Sequence, residues 1–122
     1  MRRFFICLVG LLWGVGLAVA RELKVLQINI WQEGTAVLGG YDALVSEIEY
    51  ADADFVMLSE VRNYNGTRFC DRIVESLRAK GKNYYSFKSK DSGLLSRFPI
   101  SDSVTIFPEK DDHGSMYKLV AT

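Results

Sequence analysis

Glu60 follows the apolar run Phe55-Val56-Met57-Leu58 and Ser59, and a carboxylate delivered at the end of a buried strand is a hard oxygen ligand. Mg²⁺ suits such a group, because it keeps several waters and is bound by few protein carboxylates together with substrate phosphate. Asn29 lies near the end of an earlier run, in which Leu26, Ile28 and Ile30 alternate with Val25, Gln27 and Asn29. Spacing alone leaves the plainer readings open: Glu60 as the first solvated residue after a strand, and Asn29 as a strand-end turn former. Arg62 and Asn63 stand just beyond Glu60, within reach of a bound phosphate or simply in a solvated loop. Arg97 precedes the turn made by Phe98 and Pro99, where a structural role is as well supported as a phosphate contact. His113 is the only histidine and sits in the polar stretch Asp111-Asp112-His113-Gly114, which suits an exposed turn better than a general base. With a single histidine there, no Ser-His-Asp or Cys-His arrangement can be assembled.

The elements that must carry these residues follow from periodicity. Leu23 to Trp31 predicts a strand, with Gly34, Gly39 and Gly40 marking the loop after it. Tyr41, Leu44, Val45 and Ile48 recur at helical spacing, with Asp42 favourable to the dipole in the first turn. Phe55 to Leu58 predicts a buried strand. A second helix is predicted over Arg68 to Lys80, with Phe69, Cys70, Ile73, Val74 and Leu77 on one side. Thr67 is its N-cap candidate and Gly81 its terminator. Cys70 on that apolar side reads as a small buried hydrophobe, not a reactive thiol. Four short strands follow near Tyr84 to Phe87, Gly93 to Ser96, Ser103 to Phe107 and Met116 to Thr122. Strand, helix, strand, helix and a meander predict an α/β fold, a mixed sheet with helices on one face. The predicted core is Leu26, Ile28, Leu44, Ile48, Val56, Leu58, Ile73 and Leu77.

Three segments in order, Val25-Leu26-Gln27-Ile28-Asn29-Ile30-Trp31, Asp54-Phe55-Val56-Met57-Leu58-Ser59-Glu60-Val61 and Ser92-Gly93-Leu94-Leu95-Ser96-Arg97-Phe98-Pro99-Ile100, resemble successive motifs of the endonuclease/exonuclease/phosphatase family. The resemblance implies the N-terminal half of a four-layered α/β sandwich, residues 21–122 being an incomplete domain. It implies a metal-dependent phosphoesterase in which Asn29 holds the phosphate and the attacking water. Glu60 would bind Mg²⁺ or Mn²⁺, the metal neutralising charge that develops on the phosphoryl oxygens. Asn29 and Glu60 are thus the catalytic candidates, Glu60 the metal ligand, and Arg62, Asn63, Arg97 and Lys118 weaker substrate contacts. Where many members carry a Tyr six residues before the Arg of the third motif, this chain has Asp91. Where many have an Arg near the start of a later strand, it offers Tyr117 or Lys118, and a lysine supplies charge without a bidentate fork. By the resemblance, the family's Asp-x-Asn pair, its mid-chain His and its terminal Asp-His pair should all fall beyond Thr122. The expected partners are a divalent metal and a phosphate ester, whether nucleic acid, lipid head group or small molecule. The competing expectation is a truncated, non-catalytic fragment or an exported binding module.

The N-terminus bears on where that chemistry would operate. Arg2 and Arg3 precede an apolar run from Phe4 to Ala20 that ends Ala18-Val19-Ala20, the pattern of a secretory signal peptide cleaved before Arg21. Residues 1–20 are therefore expected to direct export to the periplasm or outside, with no membrane span after cleavage; an uncleaved anchor is the alternative. Cys7 would leave with the leader, so Cys70 has no partner for an internal disulfide. Hydrophobic residues make up 48% of the 122, enough for an ordinary globular domain. Lys plus Arg and Asp plus Glu number 15 each, so the chain has no global positive field for sequence-independent capture of nucleic acid. Asn65-Gly66-Thr67 is a glycosylation sequon that matters only in a eukaryotic secretory pathway.

Overall fold

The computed structural model of the chain describes residues 21–87, 91–106 and 114–120. The expected leader, residues 1–20, and His113 lie outside them. In chain order the elements are β1 (Val25–Asn29), α1 (Gly40–Ala51), β2 (Phe55–Val61), a 3₁₀ turn (Tyr64–Gly66), α2 (Phe69–Ala79), β3 (Tyr85–Ser86), β4 (Asp91–Ser96), β5 (Ile100–Ile106) and β6 (Gly114–Leu119). The first four strands form a mixed sheet in the order β1-β2-β4-β3, and β5 and β6 form a separate antiparallel pair. The architecture is α/β, as the alternation of apolar patterns predicts. No helix among the described residues is long and apolar enough to cross a membrane.

The parallel pairing of β1 with β2 runs in register from Val25 opposite Phe55 to Asn29 opposite Ser59. A parallel pair needs a crossover, which α1 supplies. The period-2 rule then sends Val56 and Leu58 of β2 to one face and Met57 to the other; the first two are buried and Met57 is exposed. Both helices lie on the Val56 and Leu58 face: Leu44, Val45 and Ile48 of α1 and Phe69, Ile73, Val74 and Leu77 of α2 share one core with them and with Leu95 of β4. A Lys80 to Glu49 ion pair of 2.8 Å joins the two helices at the surface. Leu26 and Ile28, predicted core residues, pack against the cluster but are only partly buried, because among the described residues β1 has no neighbouring strand on its outer side.

Two close approaches explain glycines in the pattern. A Cβ at Gly40 would stand 2.1 Å from the carbonyl oxygen of Gly34, so the β1–α1 loop folds back on itself only where side chains are absent. A Cβ at Gly93 would stand 2.6 Å from Cys70 Sγ and 3.2 Å from Val61 Cγ2, so α2 sits directly on β4. Gly81 ends α2 with φ +78°, while the amides of Gly81 and Lys82 donate to Arg78 and Leu77. At the other end of α2 the N-terminus differs from expectation. Thr67 turns its hydroxyl back to the carbonyl of Tyr64, and it is Asn63 Oδ1 that accepts the amide of Phe69 at 3.1 Å.

Candidate functional site

The parallel pairing sets Asn29 and Glu60 at the same end of neighbouring strands, and their side chains meet. Asn29 Nδ2 donates to Glu60 Oε1 at 2.9 Å. The other carboxylate oxygen, Oε2, accepts the backbone amide of Gln32 at 3.0 Å. Asn29 Oδ1 in turn accepts the amide of Trp31 at 2.8 Å, which orients the carboxamide so that its nitrogen faces Glu60. The strand carrying Glu60 is irregular: register shifts between Ser59 and Val61, and Glu60 itself takes φ +67°. The bulge re-aims the side chain, and the left-handed backbone costs a residue with a Cβ about 1–2 kcal/mol.

A second irregular segment faces it. Trp31, Gln32 and Glu33 have φ of 42°, 53° and 64°, and Gly34 continues at 73°, closed by the Gly34 amide on the Ile30 carbonyl at 2.7 Å. Four successive left-handed residues make one turn of the wrong hand for L-amino acids. That turn is what carries the Gln32 amide to Glu60. Strain of this kind concentrates where surrounding structure over-determines the backbone, commonly at functional sites.

Glu33 is nearly inaccessible, at 3% relative exposure. Its Oε1 accepts the amides of Arg62, at 2.8 Å, and of Asn63, and its Oε2 accepts Arg72 Nη2 at 3.2 Å. The Arg72 guanidinium lies over the rings of Tyr41 and Phe69, 5.3 Å from each. Tyr64 completes the connection between the loops by donating its hydroxyl to Gln32 Oε1 at 3.1 Å. Beside these residues is an open hollow of about 270 Å³, lined among others by Thr35, Tyr41, Asp42, Tyr64 and Arg72.

The remaining candidates divide by position. Arg62 is at the same rim and pairs with Asp91; that contact, and then the Glu60 charge, hold its guanidinium pKa above the ordinary value. Asp91, in the position where a Tyr was expected from the resemblance, thus occupies the guanidinium. Asn63 caps α2. Arg97 is at the opposite end of the sheet, because β4 runs antiparallel to β2 and brings Asp91 to Val61 but Ser96 to Phe55. There Arg97 binds Asp52 and Asp54. The backbone amide of Lys24 and the guanidinia of Arg21 and Arg97 hold the Asp54 carboxyl below the usual range. Lys118 lies on β6, exposed and opposite Asp102, so Asn29, Glu60 and Arg62 are the candidates that the fold brings to one rim.

No group of three or more His, Cys, Asp or Glu side chains among the described residues is arranged to hold a metal ion. Glu60 alone fits one in a limited sense: a carboxylate has about four acceptor sites, and the hydrogen bonds from Asn29 and Gln32 use one on each oxygen. A single protein carboxylate completed by water and phosphate oxygens is a coordination that Mg²⁺ accepts. The sequence pointed to Asn29 and Glu60 through strand ends, but it carried no signal for Gln32 or Glu33, whose contacts depend on the left-handed turn. The chain matches no family model, no curated protein and no solved structure.

Proposed function

We propose that the Asn29 and Glu60 rim is the metal and phosphate end of a Mg²⁺-dependent phosphoesterase site, exported as part of a parent protein that hydrolyses a phosphodiester or phosphomonoester. The observation that carries the reading is the 2.9 Å hydrogen bond from Asn29 to a carboxylate held in a left-handed backbone. A mere solvated strand-end glutamate has no need of that conformation. Glu60 would hold the cation, which when bound supplies charge neutralisation at the phosphoryl oxygens. Asn29, with its oxygen committed to the Trp31 amide, directs its NH₂ group to Glu60 and to whatever oxygen binds beside it. Arg62 gives Nη1 to Asp91 and would meet a phosphate through its remaining N–H donors.

Among the described residues the rim has one carboxylate, Glu60, that is not paired with an arginine, and no general base, so the chain should bind the metal without appreciable turnover. The test is a Mn²⁺ titration of the exported chain, read by paramagnetic broadening of the Asn29 side-chain amide and Gln32 backbone amide resonances, beside assays of a generic diester and monoester. Broadening that is reversed by chelator and lost in Glu60→Gln is expected. Resonances that do not broaden, or broaden equally in Glu60→Gln, would refute the metal assignment. Chelator-sensitive hydrolysis by the chain itself would refute its dependence on further residues of the parent.

A further inference from the structure

We infer that Glu33 is a positioning residue, the buried clamp that fixes the loop after β1 against the loop after β2 and thereby sets the geometry of Glu60. The inference rests on the proposed metal reading for its consequence, but not for the clamp. Of Trp31, Gln32 and Glu33, the three non-glycine residues of the left-handed turn, only Glu33 is buried. Its side chain is also the one that reaches across to the β2 loop by two backbone amides, those of Arg62 and Asn63. These follow Glu60 by two and three residues, and Gln32, whose amide meets Glu60 Oε2, directly precedes Glu33. The connection is a closed ring: Gln32 to Glu60 by hydrogen bond, Glu60 along the chain to Arg62, Arg62 to Glu33, and Glu33 back along the chain to Gln32.

A buried carboxylate is costly unless paired and hydrogen-bonded, and Glu33 is both, through the two amides and Arg72. Arg72 is in turn fixed by stacking over Tyr41 and Phe69, so the clamp is anchored to α1 and α2. A turn held in this way cannot rotate without withdrawing the Gln32 amide from Glu60. Partners that orient a metal ligand are worth about 10- to 100-fold in metal affinity.

The test uses the exported chain, with Glu33→Gln as the first variant and Arg72→Met as the second, which retains the stem over the rings but removes the charge. Amide hydrogen exchange is measured without metal at Gln32, with Val56 and Ile73 as core references, and Mn²⁺ affinity is measured by the broadening titration. Exchange at Gln32 should accelerate about tenfold or more relative to the core references, and Mn²⁺ affinity should fall by about 10-fold or more. If Glu33→Gln does not fold, Arg72→Met is judged by the same readings. Unchanged Gln32 exchange in a folded variant would overturn the clamp. Accelerated exchange with wild-type Mn²⁺ affinity would overturn the positioning role, leaving Glu33 merely structural. Accelerated exchange in a protein whose wild type binds no Mn²⁺ supports the clamp and refutes the metal reading separately.

Discussion

Replacing Glu60 by Gly and by Ala separates the backbone strain at this position from the contacts of its carboxylate. Both variants delete the hydrogen bonds to Asn29 and Gln32, so those losses cancel in the comparison. What differs is the backbone at φ +67°. There an alanine bears about 1–2 kcal/mol of left-handed cost, whereas glycine bears almost none but brings extra unfolded-state freedom, worth about 0.4–1 kcal/mol against it. At mid-range the difference of those two effects, about 1.5 less about 0.7, leaves Glu60→Gly more stable than Glu60→Ala by about 0.8 kcal/mol. In a domain of this size that is a few degrees in Tm, and it is also resolvable as a shift in urea midpoint at unchanged slope. Glu60→Ala equal to or more stable than Glu60→Gly would show that residue 60 does not sit in the left-handed region. The physical case for a functional carboxylate would then lose its main support. Glu60→Gly should also lack Mn²⁺ binding while being the more stable of the two, since the strain serves the side chain and not the fold.

Gly93→Ala should destabilise by about 1–3 kcal/mol through overpacking, since its Cβ would stand 2.6 Å from Cys70 Sγ. In a Cys70→Ala background the same change should cost measurably less, a coupling that urea melts of the four proteins would measure. The Cys70 thiol, its pKa pushed up to about 12 by burial, should resist a thiol reagent at pH 8 in the folded protein and react at once in denaturant. Asp52 and Asp54 are held below the usual carboxylate range, Asp52 first by Lys82 and Asp54 first by the Lys24 amide. As pH falls below about 4 the unfolded chain takes up their protons first. Their stabilisation is therefore complete above that pH and is lost as pH falls through the lower folded values. Asp54→Asn should make the acid decline of the urea midpoint shallower, and an unchanged decline would refute the assignment.

The helices and the first two strands were legible because their cores are periodic: Leu44, Val45 and Ile48 at helical spacing, and Val56 and Leu58 at strand spacing, all fall where burial requires. The degree of burial of β1 was not legible, because alternation specifies which face Leu26 and Ile28 occupy but not that the strand lies at an edge. Asn29 and Glu60 could be named as strand-end residues, yet their contact follows from the in-register parallel pairing, which only the folded chain provides. The left-handed turn through Trp31, Gln32 and Glu33 is not legible in the sequence for a physical reason. Left-handed conformations are signalled by Gly and Asn, and a run of Trp, Gln and Glu gives no such sign. A buried glutamate in a loop is equally silent, since its burial depends on amides from a segment about thirty residues away. The motif around Arg97 suggests a phosphate contact, but the antiparallel direction of β4 carries it to the other end of the sheet, where it serves Asp52 and Asp54.

That separation has an electrostatic consequence for the proposed site. With Arg97 elsewhere, the rim at Asn29 holds, among the described residues, Glu60 and Asp91 with the guanidinium of Arg62, which pairs with Asp91. A phosphate oxygen approaching Glu60 meets that carboxylate first, and a carboxylate repels the anion. The NH₂ group of Asn29 is a neutral donor and cannot offset that field. A divalent cation on Glu60 reverses the sign locally, because its two charges exceed the one on the carboxylate that holds it. The same charge would weaken the hold of Asp91 on Arg62 only modestly, as the cation and the guanidinium repel while both are drawn to Asp91. In this reading the metal precedes the phosphate, and the affinity for a phosphate ester depends on Mg²⁺ or Mn²⁺ more than on Arg62, which is paired with Asp91.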